Sequence, residues 1–123
     1  MSVSKKARNM TADEFVSCIR REILEANLAT YRDTLERSLS EPGFTDDYWR
    51  RAGELYRSLN DEQRRQLLGI MRQVSLDTLS SILGVLDGSA LLEKHRDYFH
   101  LRYGDEPQEL NGELQDLFLS AET

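Results

Sequence analysis

The chain has 123 residues, 39% of them hydrophobic and 31% charged, with 22 acidic against 16 basic side chains and a formal net charge of −6. One Trp, five Tyr and four Phe argue against a disordered polyelectrolyte. The lone cysteine excludes an internal disulfide and a thiolate zinc site, and no apolar run approaches the roughly 20 residues that span a bilayer.

The length suits one domain, read here as a flexible basic tail over 1–10 followed by a single helical domain over 11–123. The tail carries Lys5, Lys6 and Arg8 without an acid. It does not read as an export signal, because Thr11-Ala12-Asp13-Glu14 follows where an apolar stretch is needed. Those four residues form a capping-box pattern instead. With Cys18 as the only thiol, a cytoplasmic location is expected.

Behind the cap, Phe15, Ile19 and Ile23 keep helical spacing. A second stripe of Leu24, Leu28, Tyr31, Leu35 and Leu39 continues it. The spacing predicts a helix over about 12–39, bent near Asn27 to Thr30, where Thr30 is a candidate second cap. Glu41-Pro42-Gly43 stops it. Thr45 then caps a short helix whose apolar side is Tyr48, Trp49, Ala52, Leu55 and Tyr56, with Asp46 and Asp47 in the first turn.

Asn60-Asp61-Glu62-Gln63 is a second capping-box pattern. It opens a helix facing Leu67, Leu68, Met71 and Val74 inward, with Ser75 a candidate kink. Leu79, Ile82, Leu83 and Leu86 carry the stripe on to a glycine cap at Gly88. Gly69 and Gly84 weaken helix propensity and point to close helix approach. Past Gly88, the alternation of Tyr98 to Tyr103 reads as a strand turning at Gly104-Asp105-Glu106-Pro107 into a short β-hairpin near residues 98–110. The rival is a helix over 90–102. Asn111 caps a last helix with Leu114, Leu117 and Phe118 apolar. The expected fold is therefore mainly all-α, a compact bundle of about four to five helices, with the hairpin as an addition.

No catalytic constellation emerges. His95 and His100 are five apart, which fits neither helical nor strand ligand spacing, so no metal and no cofactor are expected. Cys18 sits among core candidates and lacks the electropositive, exposed setting of a nucleophile. No phosphate loop, dinucleotide fingerprint or nucleophile elbow occurs. The reading leans away from an enzyme. Arg20-Arg21, Arg50-Arg51 and Arg64-Arg65 are explained by acids on the same helices, Glu54 with Arg50 among them, although Trp49, Arg50 and Arg51 have the composition of a recognition patch.

Two segments, Leu79-Ser80-Ser81-Ile82-Leu83-Gly84-Val85-Leu86-Asp87-Gly88 and Leu110-Asn111-Gly112-Glu113-Leu114-Gln115-Asp116-Leu117-Phe118, resemble stretches in a group of small uncharacterised bacterial proteins. The resemblance covers about the second half of the chain and implies a bacterial cytoplasmic protein without a stated activity.

The expected function is that of a non-enzymatic protein-interaction module, similar in size and charge to small immunity or antitoxin-like proteins. Its net negative charge disfavours nucleic acid and membrane and favours a basic protein partner, with a homodimer also compatible. Asp105, Glu106, Glu109, Glu113 and Asp116 form the candidate interaction surface. The alternative is a small-molecule-binding domain or unusual enzyme, with Trp49, Tyr56, His95, Tyr98, His100 and Tyr103 converging on one pocket.

Overall fold

A computed structural model describes residues 9–41, 43–93, 95 and 97–122. The basic run Lys5, Lys6 and Arg8, and Pro42 of the expected helix stop, lie outside the described residues. The protein is all-α, and no strand occurs among the described residues. In chain order come α1 (Ala12–Ile19), a π-helical turn (Arg20–Glu25), α2 (Ala26–Arg37), α3 (Asp47–Ser58), α4 (Asp61–Asp87) and α5 (Leu114–Ser120). The chain divides into two units, Met1–Arg21 with Asp77–Thr123, and Glu22–Leu76. No helix is long and apolar enough to cross a membrane among the described residues.

In the first unit, α1 begins at the expected capping box. The Glu14 N–H donates to Thr11 Oγ1 and the Thr11 N–H to the Glu14 carboxylate, both at 3.1 Å. Val16, Leu83, Leu110, Leu114 and Phe118 are buried. Arg20 clasps α5. Its guanidinium donates to the Phe118 carbonyl and to the Glu122 carboxylate, and lies 4.4 Å over the Phe118 ring. Its cost is visible, since Arg20 Nε is buried without a partner. Opposite Gly84 sits the Gln115 side chain, whose Nε2 donates to the Ser80 carbonyl at 2.9 Å and to Ser80 Oγ at 3.1 Å. Buried Ser80 is thereby satisfied from α5.

In the second unit, α2 packs on α3 through small residues. A Cβ at buried Gly53 would stand 3.0 Å from Ser38 Cβ, and Ser38 is itself fully buried with its hydroxyl donating to the Leu35 carbonyl at 2.5 Å. Tyr56 is fully buried and its hydroxyl donates to the Glu36 carboxylate. Asn60 and Gln63 exchange the reciprocal bonds expected of a capping box, at 2.9 and 2.8 Å. Arg64, one residue further, donates to the Tyr56 and Arg57 carbonyls at the end of α3, at 2.9 and 3.3 Å. The Tyr56 carbonyl also accepts from the N–H of the C-cap residue Leu59 at 3.2 Å, so Arg64 adds to the termination of α3. Glu25 and Arg72 form a two-bond ion pair at 3.2 and 3.1 Å.

Several expectations change. Asn27 to Thr30 lie inside α2. Thr30 Oγ1 donates to the Ala26 carbonyl at 3.0 Å inside α2, so it is not a cap. The irregularity falls instead at Arg20–Glu25. There the apolar stripe passes from Ile19 and Ile23 to Leu24 and Leu28, and the extra residue of a π turn rotates the helix by about one position. Leu24 is buried and Ile23 is exposed. Asp46, not Thr45, caps α3, accepting from the Trp49 N–H at 3.1 Å. Ser75 donates to the Met71 carbonyl at 2.8 Å and α4 runs through without interruption. Of the residues expected to face inward, Tyr48, Leu55, Val74 and Ile82 are more than half exposed. No hairpin forms over 98–110 and no helix forms over the described part of 90–102. The Leu110 N–H does donate to the Leu101 carbonyl at 2.8 Å, but the other neighbouring polar groups are taken by the Asn111 side chain.

The two helical glycines separate cleanly. Nothing lies within 4 Å of a Cβ at Gly69, whereas one at Gly84 would meet Gln115 Nε2 at 2.9 Å. Gly69→Ala is expected to stabilise by about 0.4–1 kcal/mol, and Gly84→Ala to be less stable than Gly69→Ala by about 1–3 kcal/mol, because its Cβ displaces the Gln115 amide from buried Ser80. Urea denaturation midpoints of the two variants check the order.

Candidate interaction surface

The site is built where α4 ends. Gly88 adopts φ +84°, its N–H donates to the Val85 carbonyl at 3.1 Å, and the Ser89 N–H donates to the Gly84 carbonyl at 2.9 Å. This is a Schellman termination, and it needs a residue without Cβ strain. The Tyr98 ring lies against the same glycine, 3.2 Å from where a Cβ would stand.

Two side chains then fix the returning segment. Asn111 Nδ2 donates to the Leu86 carbonyl at 2.6 Å and to the Phe99 carbonyl at 2.8 Å, while its Oδ1 accepts from the Leu101 N–H at 3.0 Å. The Asp87 carboxylate accepts from the N–H groups of Gly112, Leu114 and Gln115 at 2.7, 3.1 and 2.8 Å. Asn111 is therefore not the cap of the last helix. Glu113 occupies the N-cap position without a side-chain bond, and Asp87 supplies the acceptor from 27 residues away.

Held in this way, the segment between Ala90 and Leu110 presents Leu91, Leu92, Tyr98, Phe99 and Tyr103 outward, with Tyr98 66% exposed. Asp105, Glu109, Glu113 and Asp116 are exposed in the same unit and Glu106 is half-buried. Glu109 is not a bare acid, since its carboxylate meets His100 Nδ1 at 2.5 Å and Arg102 at 3.9 Å. Among the described residues Asp105 and Glu106 have no ion-pair partner.

The expected pocket residues are placed separately. His95 and Tyr98 line a hollow of about 180 Å³ together with Val85, Leu91, Leu92 and Phe99. Tyr103 lines another hollow with Glu106 and Glu109, and His100 is engaged with Glu109. In the second unit, Trp49 packs on Tyr31 and Tyr48 with ring centroids 5.0 and 5.1 Å apart. Arg50 pairs with Asp47 and Glu54, and Arg51 with Asp47, so the arginines beside Trp49 are held along their own helix. Burial, followed by the Glu36 hydrogen bond, pushes the Tyr56 hydroxyl up to about 12.

No group of three or more His, Cys, Asp or Glu that could hold a metal occurs among the described residues. Cys18 is half-buried and its Sγ accepts from Arg21 at 3.6 Å. Sequence reasoning missed Asp87 and the pairing role of Asn111, because both act across ten or more residues. It also missed the exposure of Leu91, Leu92 and Phe99. No protein-family model matches the chain, and no curated protein or solved structure matches it.

Asp87→Ala strips the acceptor from three backbone donors and is expected to cost about 1–3 kcal/mol. Amide hydrogen exchange should show α5 losing protection before α3, and equal loss in both would contradict the capping role. Tyr56 gives a pH signature. Its folded-state value lies above the ordinary 10.0, so the unfolded chain loses its proton first. The Tyr56 contribution is complete below pH 10 and is lost as pH rises from 10 towards 12. Tyr56→Phe should flatten that part of the alkaline stability profile, as followed by chemical denaturation at stepped pH.

Proposed function

We propose that this chain is a non-enzymatic protein-interaction module of a bacterial cytoplasm, immunity- or antitoxin-like in general character, that binds a basic protein. The observation that carries the reading is the coincidence, within one unit, of outward-facing Leu91, Leu92, Tyr98, Phe99 and Tyr103 with exposed Asp105, Glu109, Glu113 and Asp116. Aromatic and aliphatic side chains held outward supply area to be desolvated at a contact, and acids of the same unit supply attraction at longer range. The backbone at Phe99 and Leu101 is fixed by Asn111 and that from Gly112 to Gln115 by Asp87, which lowers the ordering cost of binding there. The formal charge of −6 acts in the same direction and against phosphate-rich partners.

A small-molecule site is the second reading, favoured by the hollow beside His95 and Tyr98. Its volume of about 180 Å³ is below the roughly 300–1,000 Å³ of ordinary ligand pockets. A thermal-shift screen with small aromatic compounds tests it, and Tyr98→Ala should abolish any shift found.

The interaction reading is tested by affinity capture from a bacterial lysate at low and moderate salt, followed by association kinetics on the captured protein. A basic partner is expected, with association slowed about 10-fold or more by reversing Asp105, Glu113 and Asp116 to lysine. Phe99→Ala should instead raise the dissociation rate. Association unchanged by the triple reversal would overturn the acidic surface.

A further inference from the structure

The second unit carries a hollow of about 200 Å³ between two helical faces. One is the face of Glu25, Leu28, Ala29 and Arg32, spaced i, i+3, i+4, i+7 from the last residue of the π turn into α2. Leu68, Met71 and Arg72 of α4 form the other. Leu28, Ala29, Leu68 and Met71 are half-buried, so the hollow is mainly apolar within and reachable from solvent.

Its two arginines are not equivalent. Arg72 is committed to Glu25, with both Nη atoms on the carboxylate at 3.2 and 3.1 Å, and that pair joins the two faces. Arg32 is engaged through Nε alone, 3.4 Å from the carboxylate of Asp33. No other partner of Arg32 occurs among the described residues. Its two Nη atoms therefore keep donors for a ligand. Two guanidiniums against one carboxylate leave the lining one positive charge in excess, on a chain of net charge −6.

We propose that this hollow binds a small monocarboxylate carrying a ring or branched chain of about six carbons. Its carboxylate lies on the Nη edge of Arg32 and its carbon part against Leu28, Leu68 and Met71. Size selects the carbon part. A cavity of about 150 Å³ lined by apolar side chains takes up benzene, and 200 Å³ lies below the roughly 300–1,000 Å³ of drug-sized sites. Ala29 leaves the room open, and Met71 is an unbranched, polarizable side chain that adapts to a ring or a chain.

Charge selects the head group. A guanidinium takes a carboxylate through two parallel N–H bonds. It takes a phosphate equally well, but Glu25 lines the same hollow and repels a second negative charge on the ligand. The site belongs to the second unit and the proposed interaction surface to the first, so either can fail without the other.

Phenylacetate, titrated into the whole chain and followed by amide NMR, is the probe. The Ala29, Arg32, Leu68 and Met71 resonances should move together, with a Kd of about 1 mM for a ligand of about ten non-hydrogen atoms. Uncharged phenylacetamide should bind about 10-fold more weakly. Arg32→Gln should weaken phenylacetate by about the same factor and leave phenylacetamide unchanged. The Arg32 side chain is 55% exposed, so its loss does not open the core. Lining resonances that stay in place at about 10 mM phenylacetate overturn the site. Equal affinity for acid and amide, or an unchanged affinity in Arg32→Gln, does the same. Benzylphosphonate carries the same ring and a second charge, and binding as tight as that of phenylacetate would overturn the carboxylate assignment.

Discussion

The first unit depends on one carboxylate. Asp87 ends the longest helix of the chain and at the same point accepts three backbone N–H groups from the start of the last one. Those donors have no partner within their own short helix, and a helix of seven residues is not stable alone. A negative charge at a helix start also meets the positive end of the macrodipole. With Asp87 in place, Gln115 reaches Ser80, Phe118 offers its carbonyl and ring to Arg20, and Leu114 and Phe118 become fully buried.

Asn111 performs the corresponding work for the irregular segment. A primary amide carries donors and an acceptor on one rigid plane, so it can bond the carbonyls of Leu86 and Phe99 and the N–H of Leu101 together. A β-bridge partner is thereby replaced by a side chain. This explains why an alternating aromatic sequence gives no strand. It also leaves Tyr98, Phe99 and Tyr103 pointing to solvent from a backbone that is nonetheless tied down. The second unit is held by other means, with Gly53 against Ser38 and with Arg64 closing the end of α3.

Exposure of apolar side chains is costly to solubility and usually marks a surface that is covered at some stage. Such residues occur on the helices too, Ile23, Leu55, Ile70, Val74 and Ile82 among them. Leu91, Leu92, Tyr98, Phe99 and Tyr103 fall in one non-helical stretch, and acids follow immediately in sequence. Electrostatic attraction acts over roughly a Debye length, about 10 Å at 0.1 M salt, and apolar burial acts on contact.

The sequence by itself determined the all-α class, both capping boxes, the glycine termination at Gly88 and the Arg50–Glu54 pair. Each is an interaction between residues five or fewer apart, so its chemistry is written in adjacent letters. It also carried a signal for the π turn, in the shift of the apolar stripe between Ile23 and Leu24. Only the tertiary structure decided that Asp87 rather than Asn111 caps the last helix, that Gly84 but not Gly69 marks a close approach, and that Tyr56 is buried while Leu55 is not. The physical reason is the same in each case. Asparagine and aspartate can satisfy a backbone donor at any sequence distance, and a helical stripe states which residues share a face, not which part of that face another element will cover.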